Sequence, residues 1–457
     1  MTVVARENRS GILLQSQAEA KTETESVGYQ IKFTEKTGLI HPDLSIGPNI
    51  VGAKKLNSNR GVCSVGYQLT GKGFVVSRNK RSHFIEANAK SADFLGRLVT
   101  GIQIQRTPKD EFAINVSSLS LMELKQYPHI YQHLLDSVKP IRDENSRKSV
   151  REKWWVYGEP RNTFTPALEN INEIIVTSLT ASNRIFAQYP ASTIADSTTV
   201  MFAISSSYFA CLSSKHHTLW AAEAGGRMGV GNDLRYNKSL CFDPFPFPDL
   251  AKNPKLHSTL FELGEILDRH RKDRQTEHPK LTQTQMYNVL EKVKSGDQIE
   301  GKDSLIYEQG LIGILKQIHD DIDAAVAEAY GWPTNLSNEE ILQRLVDLNR
   351  ERALEEAKGN IRWLRPEHQN PDGQSVKAQS GELKLEDASL PDAISWPKSL
   401  PEQMAAIKQA LLDAGQADVE NIRSQFKYAK TNTVKERLDT LAALGQAELL
   451  EDGRYAA

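Results

Sequence analysis

Ser213-Ser214-Lys215-His216-His217-Thr218-Leu219-Trp220 opens a stretch that runs through Ala224-Gly225-Gly226-Arg227-Met228-Gly229-Val230-Gly231-Asn232-Asp233-Leu234-Arg235-Tyr236-Asn237-Lys238 to Cys241-Phe242-Asp243-Pro244-Phe245-Pro246-Phe247-Pro248-Asp249. It joins a helix-like opening, a glycine run, a polar and basic cluster and a proline-locked exit. A P-loop needs Gly-x4-Gly-Lys-Ser/Thr, and here Asn232 follows Gly226 to Gly231 in place of Lys. A dinucleotide fingerprint needs Gly-x-Gly-x-x-Gly between strand and helix, and Gly229-Val230-Gly231 runs on to Leu234. Ser213 and Ser214 beside His216 and His217 invite Ser/His chemistry. Neighbouring helical residues point apart, however, and no carboxylate is identifiable to orient the imidazoles, so no catalytic residue is assigned. His216 and Trp220 lie at i and i+4 on one helical face, which suits a structural role. Glycines let backbone approach backbone or phosphate closely. Arg227, Asn232, Arg235, Tyr236, Asn237 and Lys238 supply donors at that point, and paired groups on Arg and Asn match guanine and adenine edges. We read a DNA contact loop; the alternative is a turn that only packs.

Upstream, Ile130, Leu134, Leu135 and Val138 repeat at helical spacing until Pro140 breaks the run. The continuation is basic: Arg142, Arg147, Lys148 and Arg151 lead into Trp154-Trp155 and then Arg161. Cations beside exposed aromatics suit a surface that follows phosphates and packs on sugars and bases. The alternative is a solvated basic helix whose tryptophans enter the core. Short strands with turn residues between them are expected at Tyr29–Phe33, Val62–Val65 and Gly73–Val76. A strand-rich piece follows from Ser91 to Val116 with Arg97, Arg106 and Lys109 on or beside it, and further strands at Ile171–Ser178 and Thr199–Ile204. Met1–Ala5 reads as a short strand followed by a polar spacer over Gln15–Ser26.

Beyond Pro248 apolar stripes mark helices, as in Leu260, Leu263, Ile266 and Leu267, and again in Met286, Val289, Leu290 and Val293. Gly331-Trp332-Pro333 stops the run, and Ser337 offers an N-cap to a helix from about Glu339 to Lys358. His270, His278 and His319 lack a second ligand at i+3 or i+4 and read as surface residues. Residues 366–399, rich in Pro, Gly and Ser, read as a linker. After it, helices at Leu400–Ala414, Asp418–Phe426 and Thr431–Leu444, capped by Gly445, precede strands 446–450 and 454–456 with a turn at Glu451-Asp452-Gly453. That order resembles a winged helix. Lys427, Lys430, Lys435 and Arg437 suit DNA, while Glu436, Asp439 and Glu448 dilute them, so DNA and protein roles both stay open.

The 457 residues exceed one ordinary domain, and a net charge of −2 with 25% charged residues restricts any nucleic-acid surface to a local one. Cys63, Cys211 and Cys241 show neither zinc spacing nor a disulfide framework, so no metal is expected and the thiols read as reduced. Met1–Ser10 carries Arg6, Glu7 and Arg9 with no apolar h-region after it, and no apolar run approaches ~18 residues. We therefore expect a cytoplasmic protein without a membrane.

Tyr127-Pro128-His129-Ile130-Tyr131-Gln132-His133-Leu134, Lys139-Pro140-x-Arg142-Asp143, Trp154-Trp155-x-Tyr157-Gly158-Glu159-Pro160-Arg161, the Ser213–Asp249 stretch, Met286-Tyr287-Asn288-Val289-Leu290-Glu291 and Asp321 to Trp332 carry a family resemblance. Together they resemble the C-terminal half of class I, SAM-dependent, adenine-specific DNA methyltransferases, of the MmeI-like (type IIL) and DISARM-type phage-defence kinds. The resemblance implies an α+β, multidomain chain. Residues 1–28 would be a remnant strand and spacer from a preceding methyltransferase domain, 29–250 a mixed α/β target-recognition domain, 251–365 a helical spacer, and 400–457 a winged-helix-like module. Within the target-recognition domain the DNA contacts expected from the residue chemistry above are Arg142, Arg147, Lys148, Arg151, Trp154, Trp155, Arg161, Arg227, Asn232, Arg235, Tyr236, Asn237 and Lys238.

One departure matters. Amino-methyltransferases of this class hold the flipped base with Asn/Asp/Ser-Pro-Pro-Tyr/Phe and the cofactor with Phe-x-Gly-x-Gly, and the chain has neither. Asp243-Pro244-Phe245-Pro246-Phe247 only superficially matches the first. The expected function is therefore DNA target recognition for an adenine-N6 methyltransferase of a restriction-modification or phage-defence system. The catalytic half would be absent from the chain and SAM bound by that companion. Partners would be double-stranded DNA, a methyltransferase catalytic domain or subunit, and other defence-system proteins. The competing readings are a complete divergent methyltransferase and a protein-interaction scaffold in a defence complex.

Overall fold

The computed structural model describes residues 10–20, 30–39, 48–50, 52–228, 233–373, 394–397, 400–414, 416–427, 429–443, 446–450 and 454–456. The chain forms two compact units, residues 1–379 and 380–457.

In the first unit β1 (Ser10–Ala20) and β2 (Gln30–Leu39) pair antiparallel, so the expected spacer starts inside a strand; Met1–Ala5 lies outside the described residues. Next come β3 (Cys63–Val65), β4 (Val75–Ser77), α1 (Arg78–Ala87), β5 (Leu95–Val99), α2 (Gly101–Gln105) and β6 (Glu111–Ile114). Helices α3 (Leu121–Leu124), α4 (Pro128–Ser137), α5 (Lys139–Asp143) and α6 (Lys148–Glu152) then precede β7 (Glu173–Ser178), β8 (Thr180–Ala181), β9 (Phe186–Pro190), β10 (Ile194–Ala195) and β11 (Thr199–Phe202). Pro140, which cannot donate a backbone hydrogen bond, sits in the first turn of α5, so the helical run divides at Val138. The strands form two four-stranded sheets in the orders β10-β5-β6-β4 and β3-β11-β7-β9. Ile174 to Ser178 and Thr199 to Phe202 are buried on both faces, which explains their unbroken apolar runs.

Helices α7 (Ser207–Ser213) and α8 (Lys215–Ala224) open the central stretch, followed by β12 (Arg227–Met228) and β13 (Asp233–Arg235). The helical region holds α9 (Pro254–Glu277), α10 (Gln283–Ser295), α11 (Lys302–Gln309), α12 (Ile312–Tyr330), α13 (Asn338–Ala357) and α14 (Pro366–Gln369). Ser337 caps α13 in a reciprocal capping box with Glu340. These helices share one core with the sheets. Arg271 on α9, 2% exposed, donates to the Phe186 carbonyl at 2.8 Å and to the Tyr287 hydroxyl at 3.2 Å. Tyr287 in turn meets His319 Nε2 at 2.9 Å. His319 is thus a buried network member, which corrects its reading as a surface residue; burial holds its imidazole well below the usual value. Part of the expected linker also packs here, since Gln369 on α14 donates to the carbonyls of Ser58 and Arg60.

The proline-locked exit explains itself through hydrogen bonds. Prolines cannot donate, and Phe242, Phe245 and Phe247 are buried, so the segment carries carbonyls that need outside donors. Asn59, 1% exposed, gives its amide to the carbonyls of Phe242, Asp243 and Phe245 at 2.9, 3.1 and 2.8 Å. Asn349 on α13 donates to Pro244 at 2.6 Å and to the Lys54 carbonyl at 2.8 Å, and it accepts from the Lys54 N–H at 2.8 Å. The Tyr330 hydroxyl donates to Pro246 at 3.0 Å.

The second unit orders β14 (Ile394–Ser395), α15 (Leu400–Ala414), β15 (Gln416–Ala417), α16 (Val419–Ser424), β16 (Phe426–Lys427), α17 (Thr431–Ala443), β17 (Glu448–Leu449) and β18 (Tyr455–Ala456). Its core gathers Ile407, Leu411, Ile422, Val434, Leu438 and Tyr455. The three expected helices are present. The sheet has the order β15-β18-β17, and its strand β15, between the first two helices, was not expected. Gly445 and the turn 451–453 lie outside the described residues. No helix among the described residues is long and apolar enough to cross a membrane.

Asn349→Ala leaves three buried or half-buried backbone groups without partners, so unfolding in urea is expected to show a loss of about 3 kcal/mol. Burial also drives His216 down to about 4 and His217 to about 3, while it pushes Asp323 up to about 6. The imidazoles take up protons first in the unfolded chain, so their contribution to stability is lost as pH falls below roughly 6.5. Asp323 works in the opposite sense, its contribution being lost as pH rises through about 6. His217→Phe removes one imidazole and leaves Asp323 in place. It should therefore flatten the dependence of unfolding free energy on pH between roughly 6.5 and 4, measured by urea titrations across that range.

Candidate nucleic-acid interface

The two short strands that flank the glycine run pair as the arms of a hairpin in the first unit. β12 and β13 pair through Arg227↔Leu234 and Met228↔Asp233, and β13 pairs with β8 through Leu234↔Ala181 and Arg235↔Thr180. Two glycines make the turn from α8 into this sheet. A Cβ on Gly225 would lie 2.0 Å from the Arg235 carbonyl oxygen and 2.7 Å from that of Ala221, so only glycine lets the helix end meet the strand. Gly226 has φ +70°, and its carbonyl accepts from the Arg235 N–H at 3.1 Å.

Beneath the hairpin sits Arg184, 9% exposed. Its Nη2 donates to the Leu234 carbonyl at 2.7 Å, its Nη1 donates to the Ser178 carbonyl, and the guanidinium lies 5.2 Å from the centre of the Tyr236 ring. Burial lowers Arg184 to about 10, which still leaves it charged at neutral pH. The Tyr236 N–H donates to Leu179 at 2.8 Å, and its hydroxyl meets His217 Nε2 at 2.9 Å. The anchors on Leu234 and Leu179 use main-chain atoms of the hairpin and its neighbour.

On the outer side Thr180, Ser182 and Arg235 are exposed and Asp233 is half-buried. Thr180, Ser182 and Asp233 line a groove of about 520 Å³ together with Gln105, Arg106 and Gln285, and Arg235 lies across from Thr180 in the strand pairing. Hydroxyls, amides, a carboxylate and a guanidinium there offer the mix of donors and acceptors that base edges require.

The expected contact residues divide sharply. Trp154 and Trp155, expected to be exposed, are 6% and 8% exposed; Trp155 Nε1 donates to the Leu119 carbonyl at 2.8 Å. They belong to the core because large rings bury more apolar area than a surface can supply, and the indole N–H finds a partner inside. Arg142 is 1% exposed and donates to Leu69 and Val156 carbonyls at 2.8 and 3.1 Å; burial lowers its pKa. Tyr236 is fully buried. These four are corrected from surface contacts to structural residues. Arg147 and Lys148 are exposed, Lys148 lying 3.6 Å from Glu152. Arg151 turns back onto the carbonyls of Asn145 and Ser146. Arg161, left-handed at φ 55°, donates from Nε to the Gly66 carbonyl at 3.0 Å. Asn237 caps the π-helical turn Lys238–Phe242 by accepting from the Ser239 N–H, and Lys238 pairs with Asp243 at 2.6 Å. Arg227 is described through its backbone only, and Asn232 lies outside the described residues. Among the described side chains of the expected central cluster, Arg235 is exposed, and it lies across from Thr180, which lines the groove. Arg184, Asp233 and Gln105 were not singled out from sequence; the hairpin register brings them into play, and no short-range pattern encodes it.

The Asp243–Phe247 segment does not fit a flipped base or SAM. Phe245 and Phe247 are 1% and 7% exposed, and Asn59 and Asn349 occupy the carbonyls between them. Among the described residues no cluster of three or more His, Cys, Asp or Glu could hold a metal.

Gly225→Ala is expected to destabilise the chain by roughly 1–3 kcal/mol, because the helix end or the hairpin must move. Limited proteolysis should cut residues 226–235 faster than in the parent, whereas unchanged cleavage would mean that the contact is slack.

No curated protein matches the chain. The family model described as MmeI, target recognition domain, matches residues 50–249. A solved structure of the type IIL restriction-modification enzyme MmeI in complex with DNA shares the fold at a TM-score of 0.52 and 16% identity, over 72% of this chain and 41% of that one. The chain thus spans about two fifths of the length of that relative. The resemblance carried by the motifs is borne out: residues 50–249 are similar to the MmeI target recognition domain, within a mixed α+β fold shared with MmeI.

Proposed function

We propose that the chain recognises a specific duplex DNA sequence on behalf of a site-specific, adenine-N6 DNA methyltransferase of a restriction-modification or phage-defence system. The observation that carries this reading is the family match over residues 50–249, which spans the hairpin and most of the residues that line its groove. The hairpin would enter a groove of the duplex, with Arg235 reaching a base edge or phosphate and the groove side chains setting preference. Methyl transfer would come from a catalytic domain or subunit that binds SAM, because the sequence has neither Phe-x-Gly-x-Gly nor Asn/Asp/Ser-Pro-Pro-Tyr/Phe. The work would take place in the cytoplasm.

The winged-helix-like module of residues 400–457 favours a protein partner within this scheme, such as another component of the defence system. It carries nine carboxylates against seven lysines and arginines, and Glu436 and Asp439 are exposed on α17, where a phosphate would be repelled.

Selection of tight binders from randomised duplexes should enrich one motif. Arg235→Ala is expected to weaken binding to that motif by about tenfold to a hundredfold, as suits a base contact of roughly 1–3 kcal/mol. Unchanged affinity would reduce the hairpin to a packing element, and sequence-specific methylation by the chain alone with SAM would overturn the division of labour.

A further inference from the structure

Residues 72–111 contain eight lysines and arginines and four carboxylates, a local excess of four cations in a chain of net charge −2. Seven of the eight cations are exposed and Arg81 is half-buried. The fold gathers several of them on one face of the sheet β10-β5-β6-β4. The Arg81 guanidinium lies 4.7 Å from the centre of the Phe112 ring, and Phe112 pairs with Arg97 across β5 and β6. Arg78 at the start of α1 bonds bidentately to Asp110, the residue just before the start of β6. Both Arg78 and Arg97 hold the Asp110 carboxyl below its ordinary value. One carboxylate thus serves two guanidiniums, and the face keeps a positive surplus.

This face runs into the groove beside the hairpin. Lys109 and Arg106 sit on the loop between α2 and β6, and Arg106 lines the groove. Thr107 Oγ1 donates to the Pro279 carbonyl at 3.5 Å, which brings the exposed Lys280 alongside the loop. A solvated basic patch is tolerable in water, but like charges gathered beside a groove of base-matching groups form the arrangement that a polyanion with edge-readable bases would neutralise.

We propose that Arg97, Lys109, Lys280 and Arg106 form a phosphate track that follows the backbone of the duplex read by the hairpin. The inference rests on the DNA reading given above and adds a surface that the sequence motifs left out. The track contributes affinity without base preference, and it releases counterions on binding.

Fluorescence anisotropy with a duplex bearing the selected motif, at KCl from about 50 to 300 mM, gives the slope of log affinity against log salt. For the triple variant R97Q/K109Q/K280Q the slope should become shallower by about 0.9 per lost phosphate contact, or ~2.7 in all. The selected motif should stay the same. R350Q, which alters an exposed cation on α13, should keep the parent slope. In the unmutated protein, acetylation of Lys109 and Lys280 should slow when duplex is added, while that of Lys316 should not. If the parent binds DNA but the triple variant keeps its slope, or both lysines stay as reactive as before, the phosphate track is overturned and the hairpin reading survives. If the parent binds no duplex, the DNA reading itself falls and the track falls with it.

Discussion

The side-chain amides of Asn59 and Asn349 hold the first unit together at the point where its three sequence regions meet. Each amide supplies donors to a proline-interrupted backbone that has none to spare, and each is nearly or wholly buried. Buried carbonyls without partners are costly, so the Phe242–Phe247 segment is stable in the core only together with residues 54–59 and α13. The aromatic cluster around His217, Tyr236, Phe245 and Phe247 forms on that condition. Residues near position 59, position 245 and position 349 therefore fold as one body, and the helices after Pro248 cannot be a detachable spacer.

Local rules were readable from the sequence, and long-range ones were not. The cap at Ser337, the break at Pro140 and the three helices of the second unit depend on a few neighbouring residues, and all were anticipated. Trp154 and Trp155 show the limit. Their basic neighbours suggested an exposed face, but whether an indole turns inward depends on a carbonyl at Leu119 and on the ring of Tyr131, both outside the segment itself. Arg142 failed for the same reason, its partners being carbonyls of Leu69 and Val156. Strand β15 is only two residues long, too short for any alternation to register.

The glycine run was legible in part. Its failure to match either nucleotide pattern excluded those folds, and close backbone approach was foreseen, but its partner was not. Gly225 meets the chain's own Arg235 carbonyl. Arg97, Arg106 and Lys109 were noted beside the strands, but the basic cluster of residues 72–111 was not read as one surface because it is spread across a helix, strands and a loop, and no periodicity joins them. Only the pairing of β5 with β6, and the return of α1 over that sheet, brings those charges to one side.

The way Arg184 grips the hairpin separates two sets of atoms. Its guanidinium takes the carbonyls of Leu234 and Ser178, and Tyr236 takes that of Leu179 through its N–H, all of them groups that every residue type possesses. Thr180, Ser182 and Arg235, which face outward, add nothing to that grip. The scaffold is thus indifferent to the identity of its outward letters. A lineage could rewrite what the surface says by single exchanges, without passing through an unfolded intermediate sequence.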